Sequence, residues 1–302
     1  MESPKSYPLV SIVITCFNYG KYLRRCVDSA LQQSYLNLEI IVVDDGSTDD
    51  TEQVIIPYLD DPKITYIRQQ NRGQAVAKNV GINQSCGDFI AFLDADDLWC
   101  PEKITKQMAY FEDKDVGVVY CRAMYLDENN DELDYEMNGT YLKPQQGMVT
   151  KWLLFDNFVQ FSSTVVRKDC FAVFKGFDES LKMGIDWDLW LRISTMYKFG
   201  FVDDRLFYYR MGHPGQMSKN STERQKCSDR IIDKFLTNFP NFVTTVETDK
   251  MYAYTYCNRG SYFRNIDKKQ SYQLYFKAIA ISPFWIPAYK GLLKNILCLN
   301  EN

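Results

Sequence analysis

Val42-Val43-Asp44-Asp45-Gly46-Ser47 and Phe92-Leu93-Asp94-Ala95-Asp96-Asp97 decide the fold. Each is an apolar run that stops abruptly in carboxylates. A continuous apolar run of this length reads as a strand buried on both faces, the signature of a parallel sheet. In an open α/β sheet, ligands sit beyond the carboxyl ends of the strands. Carboxylates gathered there repel one another unless a cation or hydrogen-bond donors join them. The two loops therefore point to a metal-assisted site for a phosphate-bearing ligand.

Outward from these loops, residues 10–15, 40–43, 64–67, 89–93 and 116–120 read as strands. The 89–93 run does not alternate, so it belongs near the centre of the sheet. After the turn at 16–20, Leu23, Cys26, Val27, Ala30 and Leu31 share one face of a helix. Residues 74–84, apolar at Val76 and Val80, read as another. The spacing of Asp49 and Glu52 predicts a helix start with Asp49 as N-cap. Pro101 suits the first turn of a helix whose Ile104, Met108 and Phe111 share a face. Strands alternating with helices give a mostly parallel sheet with helices on both faces. Further on, 127–147 reads as a polar surface excursion, 161–167 as a strand, 186–193 as a helix and 201–210 as extended chain. Residues 211–222 form a loop with the single histidine, His213.

From about residue 222 the pattern turns helical. Residues 252–266 and 269–282 read as two antiparallel helices joined at Asp267. Gly260, Phe263, Phe276, Ala278 and Pro283 resemble one tetratricopeptide unit, but the proline is one residue out of register and there is a single copy. Such repeats need neighbours for stability, so a helical cap is the favoured reading. Residues 284–298 form an aromatic, lysine-bearing amphipathic stretch that suits a packed terminal helix or, less favoured, a helix resting on a membrane surface. The expected organisation is a catalytic domain over 1–221 and a helical region over 222–302.

Bulk composition narrows the classes. The chain has 302 residues, 46% hydrophobic and 25% charged, which suits one large globular domain with an appendage. A net charge of -4 without a basic run argues against nucleic acid as a partner. Nine scattered cysteines without a CxxC pair argue for a reducing compartment and against a disulfide framework or zinc site. No secretory signal is visible, and no apolar stretch reaches the ~20 residues of a membrane helix. The expectation is a cytoplasmic protein, with peripheral contact at the inner membrane face or a protein partner possible through the C-terminal helices. No Gly-x-Gly-x-x-Gly follows the first strand, so the dehydrogenase type of dinucleotide loop is missing.

The ordered motifs resemble a known family. Residues 8–18 (Pro-Leu-Val-Ser-Ile-Val-Ile-Thr-Cys-Phe-Asn), 43–49 (Val-Asp-Asp-Gly-Ser-Thr-Asp), Asn71-Arg72-Gly73, Lys78-Asn79, 93–97, Asp186-Trp187-Asp188-Leu189-Trp190-Leu191-Arg192 and Tyr209-Arg210-Met211-Gly212-His213 are similar to family 2 glycosyltransferases of the GT-A fold. The resemblance spans about residues 8–220. It implies an αβα sandwich, a nucleotide diphosphate sugar donor, inversion at the anomeric carbon and a divalent cation, Mg²⁺ or Mn²⁺. By the same resemblance, Phe17 stacks on the base, Asp45 accepts from a uracil ring N–H, and Thr15, Asn18 and the Arg72–Gly73 turn lie around the nucleotide. Asp96 and His213 are the metal ligands. Asp94, beside Ala95, meets the ribose or the water shell of the ion. Asp97 is expected to face away and cap the Pro101 helix.

Chemistry supports these roles. A leaving nucleoside diphosphate develops negative charge that a hard cation neutralises. Arg210, Lys78 and Arg72 are candidates to share that work. The acceptor hydroxyl needs a carboxylate to take its proton. Asp186 fits as that base, although the family often has Glu-Asp where this chain has Ile185-Asp186. Asp188 is the runner-up base, and Trp187 and Asp188 are the candidate acceptor contacts. The acceptor class implied is a saccharide or lipid-linked glycan. The competing reading is a non-catalytic nucleotide-sugar-binding scaffold. A nucleotidyltransferase lacks support because its Gly-rich basic signature is missing after the first strand, and a phosphoacceptor receiver domain is far shorter than this chain.

Overall fold

Strands whose side chains are apolar on both faces can only persist if both faces are covered, and that requirement sets the architecture. The computed structural model describes residues 7–136, 141–213, 215–216 and 220–297. In chain order its strands are β1 (Val10–Cys16), β2 (Leu38–Asp44), β3 (Ile64–Arg68), β4 (Phe89–Asp94), β5 (Leu98–Trp99), β6 (Val116–Leu126), β7 (Glu132–Leu133), β8 (Val165–Arg167) and β9 (Lys198–Arg210). Its helices are α1 (Gly20–Leu31), α2 (Thr51–Ile55), α3 (Gln74–Gln84), α4 (Lys103–Met108), α5 (Thr150–Leu153), α6 (Asp169–Phe174), α7 (Ile185–Ile193), α8 (Ser221–Asn238), α9 (Thr245–Phe263), α10 (Lys268–Ile281) and α11 (Ile286–Ile296). The chain divides into two compact units, residues 1–149 with 157–236 and residues 150–156 with 237–302. Helix α8 thus counts almost wholly with the sheet, although the sequence changes character near its start.

The first unit holds one sheet in the order β3-β2-β1-β4-β8-β6-β9-β5, with β7 paired to β6. β3, β2, β1 and β4 run parallel. β8 enters antiparallel between β4 and β6, and β6 and β9 are parallel to each other. β4 is central, as its unbroken apolar run predicts. Alternation along β2 explains the layers. Ile40 and Val42 join the α1 side with Leu23, Cys26, Val27 and Ala30, whereas Ile41 and Val43 meet Ala77 of α3 on the other side. Each such buried aliphatic side chain contributes about 1.5–3 kcal/mol. The strand ends beyond this core are left to carry charge. Gly81 lets α3 approach closely, since a Cβ there would lie 2.3 Å from Val13 Cγ1. The structure is the expected mixed α/β sheet with C-terminal helices.

Several boundaries differ from the sequence reading. Helix α2 starts at Thr51, because Asp49 turns its carboxylate to the Thr51 and Gly20 amides instead of capping at Glu52; Glu52 pairs with Arg68. Residues 161–163 form a 3-10 turn, so that strand begins only at Val165. Pro101 precedes α4 by a turn rather than opening it. The first helix of the expected antiparallel pair begins at Thr245, with Thr244 and Glu247 in a reciprocal capping box. Asp267 does cap α10, accepting from Gln270 N–H. Among the described residues no helix is long and apolar enough to cross a membrane.

Candidate active site

Sheet register brings the motifs together. Thr15 lies opposite Asp94 across β1 and β4, and Cys16 lies opposite Asp44 across β1 and β2. The two aspartate loops therefore flank the end of β1.

At the β2 end, Asp44 is buried and accepts from Ser47 N–H and the Tyr66 hydroxyl, both at 2.8 Å. Asp45 accepts from Gln69 Nε2 at 2.7 Å, Arg72 N–H at 2.9 Å and Gly73 N–H at 2.8 Å. A carboxylate offers about four acceptor sites, so about one is left on Asp45 for a ligand. The expected base-edge acceptor is thus also the anchor of the Arg72–Gly73 turn, which starts α3 with Gly73 at φ +91°. Nothing local in the sequence marks Gln69 as a partner of Asp45, 24 residues away. The Arg72 side chain is exposed and takes no partner among the described residues. Phe17, the expected stacking face, is 44% exposed and directly follows β1. Asn18 is exposed; at φ +58° its N–H donates to Ser47 Oγ and its Oδ1 accepts from Thr48 N–H, which laces the loop after β1 to the loop after β2.

At the β4 end, Lys78 is the first correction. It is buried and donates to Asp94 Oδ1 at 2.8 Å and to Thr15 Oγ1 at 3.1 Å, with its ammonium 4.3 Å from the centre of the Phe161 ring. It neutralises Asp94 from below and does not project toward a phosphate, and Thr15 is engaged with it. Burial raises the Asp94 carboxyl above its ordinary range; Lys78 pulls it down and Asp96 pushes it up. Ala95 is the second correction. Its methyl is in the core, so only its main chain faces the site. Asp97 is the third. It turns inward, accepting from Ser162 Oγ at 2.5 Å and Arg210 N–H at 2.9 Å, and caps no helix. Burial, then Asp96 and Asp94, push its carboxyl well up.

Arg210 also departs from expectation. Its Nε donates to the Asp96 carbonyl at 2.8 Å, Nη1 to the Asp127 carbonyl at 2.7 Å and Nη2 to Asn130 Oδ1 at 2.9 Å. Its guanidinium lies 4.7 Å over the Tyr22 ring, and the residue is buried. With every nitrogen engaged, it braces the Asp94–Asp97 loop instead of reaching for a ligand. His213 Nε2 lies 2.9 Å from Asp96 Oδ2, and its buried ring is boxed by Tyr19 and Tyr22 at 5.5 and 5.3 Å. Pro214 and residues 217–219, part of the loop expected to fold over the donor, lie outside the described residues.

Asp186 stands in the first turn of α7, which Gly184 enters at φ +68°. Its Oδ2 accepts from Asn157 Nδ2 at 2.8 Å. Burial raises its carboxyl above the ordinary range, and the Asp94 charge adds to the rise. The two carboxylates are thus within electrostatic reach of one another. Asn157 was not visible as a partner, since 29 residues separate the pair. Asp188 is neither base nor acceptor contact: it is buried between Arg192, at 2.9 and 2.6 Å, and Lys234 at 2.8 Å. Two positions along the helix separate Asp186, beside Asn157, from the interior ion pair at Asp188. Trp187 is half-buried, whereas Trp190 is fully buried against Phe199.

Comparison with known proteins identifies the family of the chain. Residues 11–175 match the family described as Glycosyl transferase family 2. The chain belongs to glycosyl transferase family 2. It is 36% identical over 196 residues to an uncharacterized glycosyltransferase of Rickettsia typhi, covering 63% of this chain and 61% of that protein. It is 30% identical over 224 residues to a chondroitin synthase of Escherichia coli, covering 74% of this chain and 32% of that protein. The chain therefore spans about three fifths of the length of the first relative and about a third of the second. In fold it is similar to S. aureus TarS 1-349, with TM-score 0.66, 16% identity and coverage of 95% and 88% of the two chains. It is likewise similar to the mannosyltransferase PcManGT from Pyrobaculum calidifontis, solved in complex with GDP-Man and Mn2+, with TM-score 0.65, 16% identity and coverage of 99% and 82%.

Proposed function

We propose that this chain is an inverting glycosyltransferase that moves a sugar from a UDP-sugar to a hydroxyl of a saccharide or lipid-linked glycan. The observation that carries the reading is the 2.9 Å approach of His213 Nε2 to Asp96 Oδ2 across 117 residues of sequence. The chain gathers these two donors beside Asp94 at the end of the central strand. TarS has been solved with UDP and with UDP-GlcNAc, and PcManGT with GDP-Man. The acceptor site left on Asp45 and the exposed face of Phe17 favour uracil for this chain.

The residues present fit a divalent ion. A carboxylate oxygen and an imidazole nitrogen are both metal donors. Among the described residues no group of three His, Cys, Asp or Glu side chains could hold an ion unaided. Mg²⁺ is commonly held by one or two protein ligands together with substrate phosphates. Asp96 and His213 would hold the ion here, and bound there it would offset the charge of the departing diphosphate. Every other part of the mechanism belongs to the chain. Arg210 fixes the main chain of Asp96. Asp186 takes the proton from the acceptor hydroxyl as that oxygen attacks the anomeric carbon from the face opposite the phosphate. The new C–O bond forms while the old bond breaks, and its electron pair leaves on the diphosphate oxygen. A carboxyl raised toward neutrality is a better base than an ordinary one.

A panel of nucleotide sugars, tested by thermal shift with and without Mn²⁺, checks the proposal. A bound donor stabilises by mass action. UDP-sugars are expected to raise the melting temperature only when Mn²⁺ is present. An equal response to GDP-mannose, or none that depends on metal, would overturn it.

A further inference from the structure

Ser162 spans the Asp94–Asp97 turn. A serine hydroxyl has a single hydrogen to donate and can also accept. Here it accepts from Asp94 N–H at 3.1 Å and donates to Asp97 Oδ2 at 2.5 Å. A single oxygen thus ties the first residue of the turn to the last, alongside the backbone bond from Asp97 N–H to the Asp94 carbonyl at 3.0 Å. The clamp has firm support. Ser162 is buried in the 3-10 turn at 161–163. Trp99 Nε1–H, on β5, donates to the Ser162 carbonyl at 2.7 Å. Gln107 of α4 is buried, and its Nε2 donates to the Ser163 carbonyl at 2.7 Å and to the Val119 carbonyl on β6 at 2.9 Å. Phe92 N–H on β4 donates to the Thr164 carbonyl at 3.3 Å. The segment is therefore pinned to three strands and a helix before it reaches the aspartates.

Arg210 holds the Asp96 carbonyl, and the Ala95 methyl is in the core. All four residues of the turn are thus fixed, and the adjustment left to it is in the Asp94 and Asp96 side chains. Stiffness of this kind decides which ion a site accepts. Ca²⁺ takes about 6–8 oxygen ligands at roughly 2.3–2.6 Å in flexible geometry, whereas Mg²⁺ demands near-octahedral geometry at about 2.0–2.1 Å. A turn that cannot shift suits the small, exacting ion, and a slack one admits the large. We propose that Ser162 is a positioning residue that holds Asp96 for a small divalent cation and against Ca²⁺. The inference rests on the reading above, in which Asp96 holds the ion of a bound UDP-sugar. Ser162 acts through the turn, since its one donated hydrogen is already taken by Asp97.

Calorimetric titration of the 302-residue chain with UDP, in Mn²⁺ and then in Ca²⁺, tests it. The unaltered chain is expected to bind UDP more tightly in Mn²⁺. Ser162→Ala should lower the affinity in Mn²⁺ about 10- to 100-fold, the usual cost of losing a partner that orients a metal ligand. In Ca²⁺ the change should stay under about twofold, because that ion tolerates a slack turn. Trp99→Phe keeps the Ser162 hydroxyl but removes the N–H behind it. It should shift the ratio of the two affinities in the same direction by about fivefold, the worth of one hydrogen bond. This second variant decides the matter should Ser162→Ala fail to fold. Equal losses in both ions, or an unchanged ratio, would make the clamp merely structural and overturn the proposal. Metal-dependent UDP binding by the unaltered chain beside such a result would overturn this inference alone. UDP binding by the unaltered chain that ignores metal would overturn the reading of the site, and this inference with it.

Discussion

At the end of β2, two carboxylates receive five donors: Ser47 N–H and the Tyr66 hydroxyl on Asp44, and Gln69, Arg72 N–H and Gly73 N–H on Asp45. At the end of β4, three carboxylates share four: Lys78 on Asp94, His213 on Asp96, and Ser162 and Arg210 N–H on Asp97. The two loops look alike in sequence, yet the first is held mainly by neutral donors, with Arg68 3.7 Å from Asp44 and about one acceptor site left on Asp45, and the second gathers three carboxylates around one lysine. A buried carboxylate cluster with unspent acceptor sites attracts a cation. The first loop is therefore suited to shaping a pocket, and the second to neutralising a phosphate.

The comparison fails most plainly if Asp96 can be dispensed with. Asp96→Ala is expected to abolish transfer and the metal-dependent part of UDP binding, measured by calorimetric titration with and without Mn²⁺. Retention of that metal dependence would mean that the second loop is as self-contained as the first. Next in size is Asp186→Asn, with a loss of transfer on the order of 10² to 10⁴ and donor affinity unchanged. Full activity in this variant would remove Asp186 from the chemistry. Asp188→Asn should behave the other way. It leaves Arg192 and Lys234 without their shared buried carboxylate and should cost about 3 kcal/mol in denaturant unfolding, with transfer per folded molecule retained. Asp45→Asn comes lower. It sets an amide NH₂ against the N–H donors of Gln69, Arg72 or Gly73, and should weaken UDP binding about tenfold while leaving its metal dependence intact.

Most of the sheet could be read from the chain because its strands are continuous apolar runs closed by turns, and α3 falls on the residues its pattern marks, 74–84. The strand-end carboxylates were legible for the same reason. What stayed hidden was the direction each side chain takes once the loops fold. Lys78 and Arg210 carry charges that a phosphate could use, but burial turns both onto the aspartate loop itself. Asp186 and Asp188 differ by two positions on one helix, a rotation large enough to send one to the cleft and the other to Arg192. Hydrogen-bond partners far apart in sequence, such as Gln69 for Asp45 and Asn157 for Asp186, leave no local pattern at all.

Asn157 offers the smallest and sharpest probe of the second loop's neighbourhood. Its amide donates to Asp186 and so favours the charged carboxylate, while burial first and the Asp94 charge after it favour the protonated one. The net result is a raised carboxyl. Because only the deprotonated form can accept the acceptor's proton, the acid limb of the kcat/KM profile should lie above the ordinary carboxylate range. The same shift has a stability sign: the folded chain holds this proton more tightly than the unfolded chain does. Asp186 therefore supports the fold below its unfolded pKa, and that support is lost as pH rises through its folded value. Asn157→Ala removes a donor to the charged form, so both the acid limb and the window of lost stability should move to higher pH, by up to about one unit if the hydrogen bond is worth about 1 kcal/mol. An acid limb that stays in place, or moves down, would show that Asp186 is not the group whose titration governs transfer, and would leave the Asp94–Asp97 loop without a base across from it.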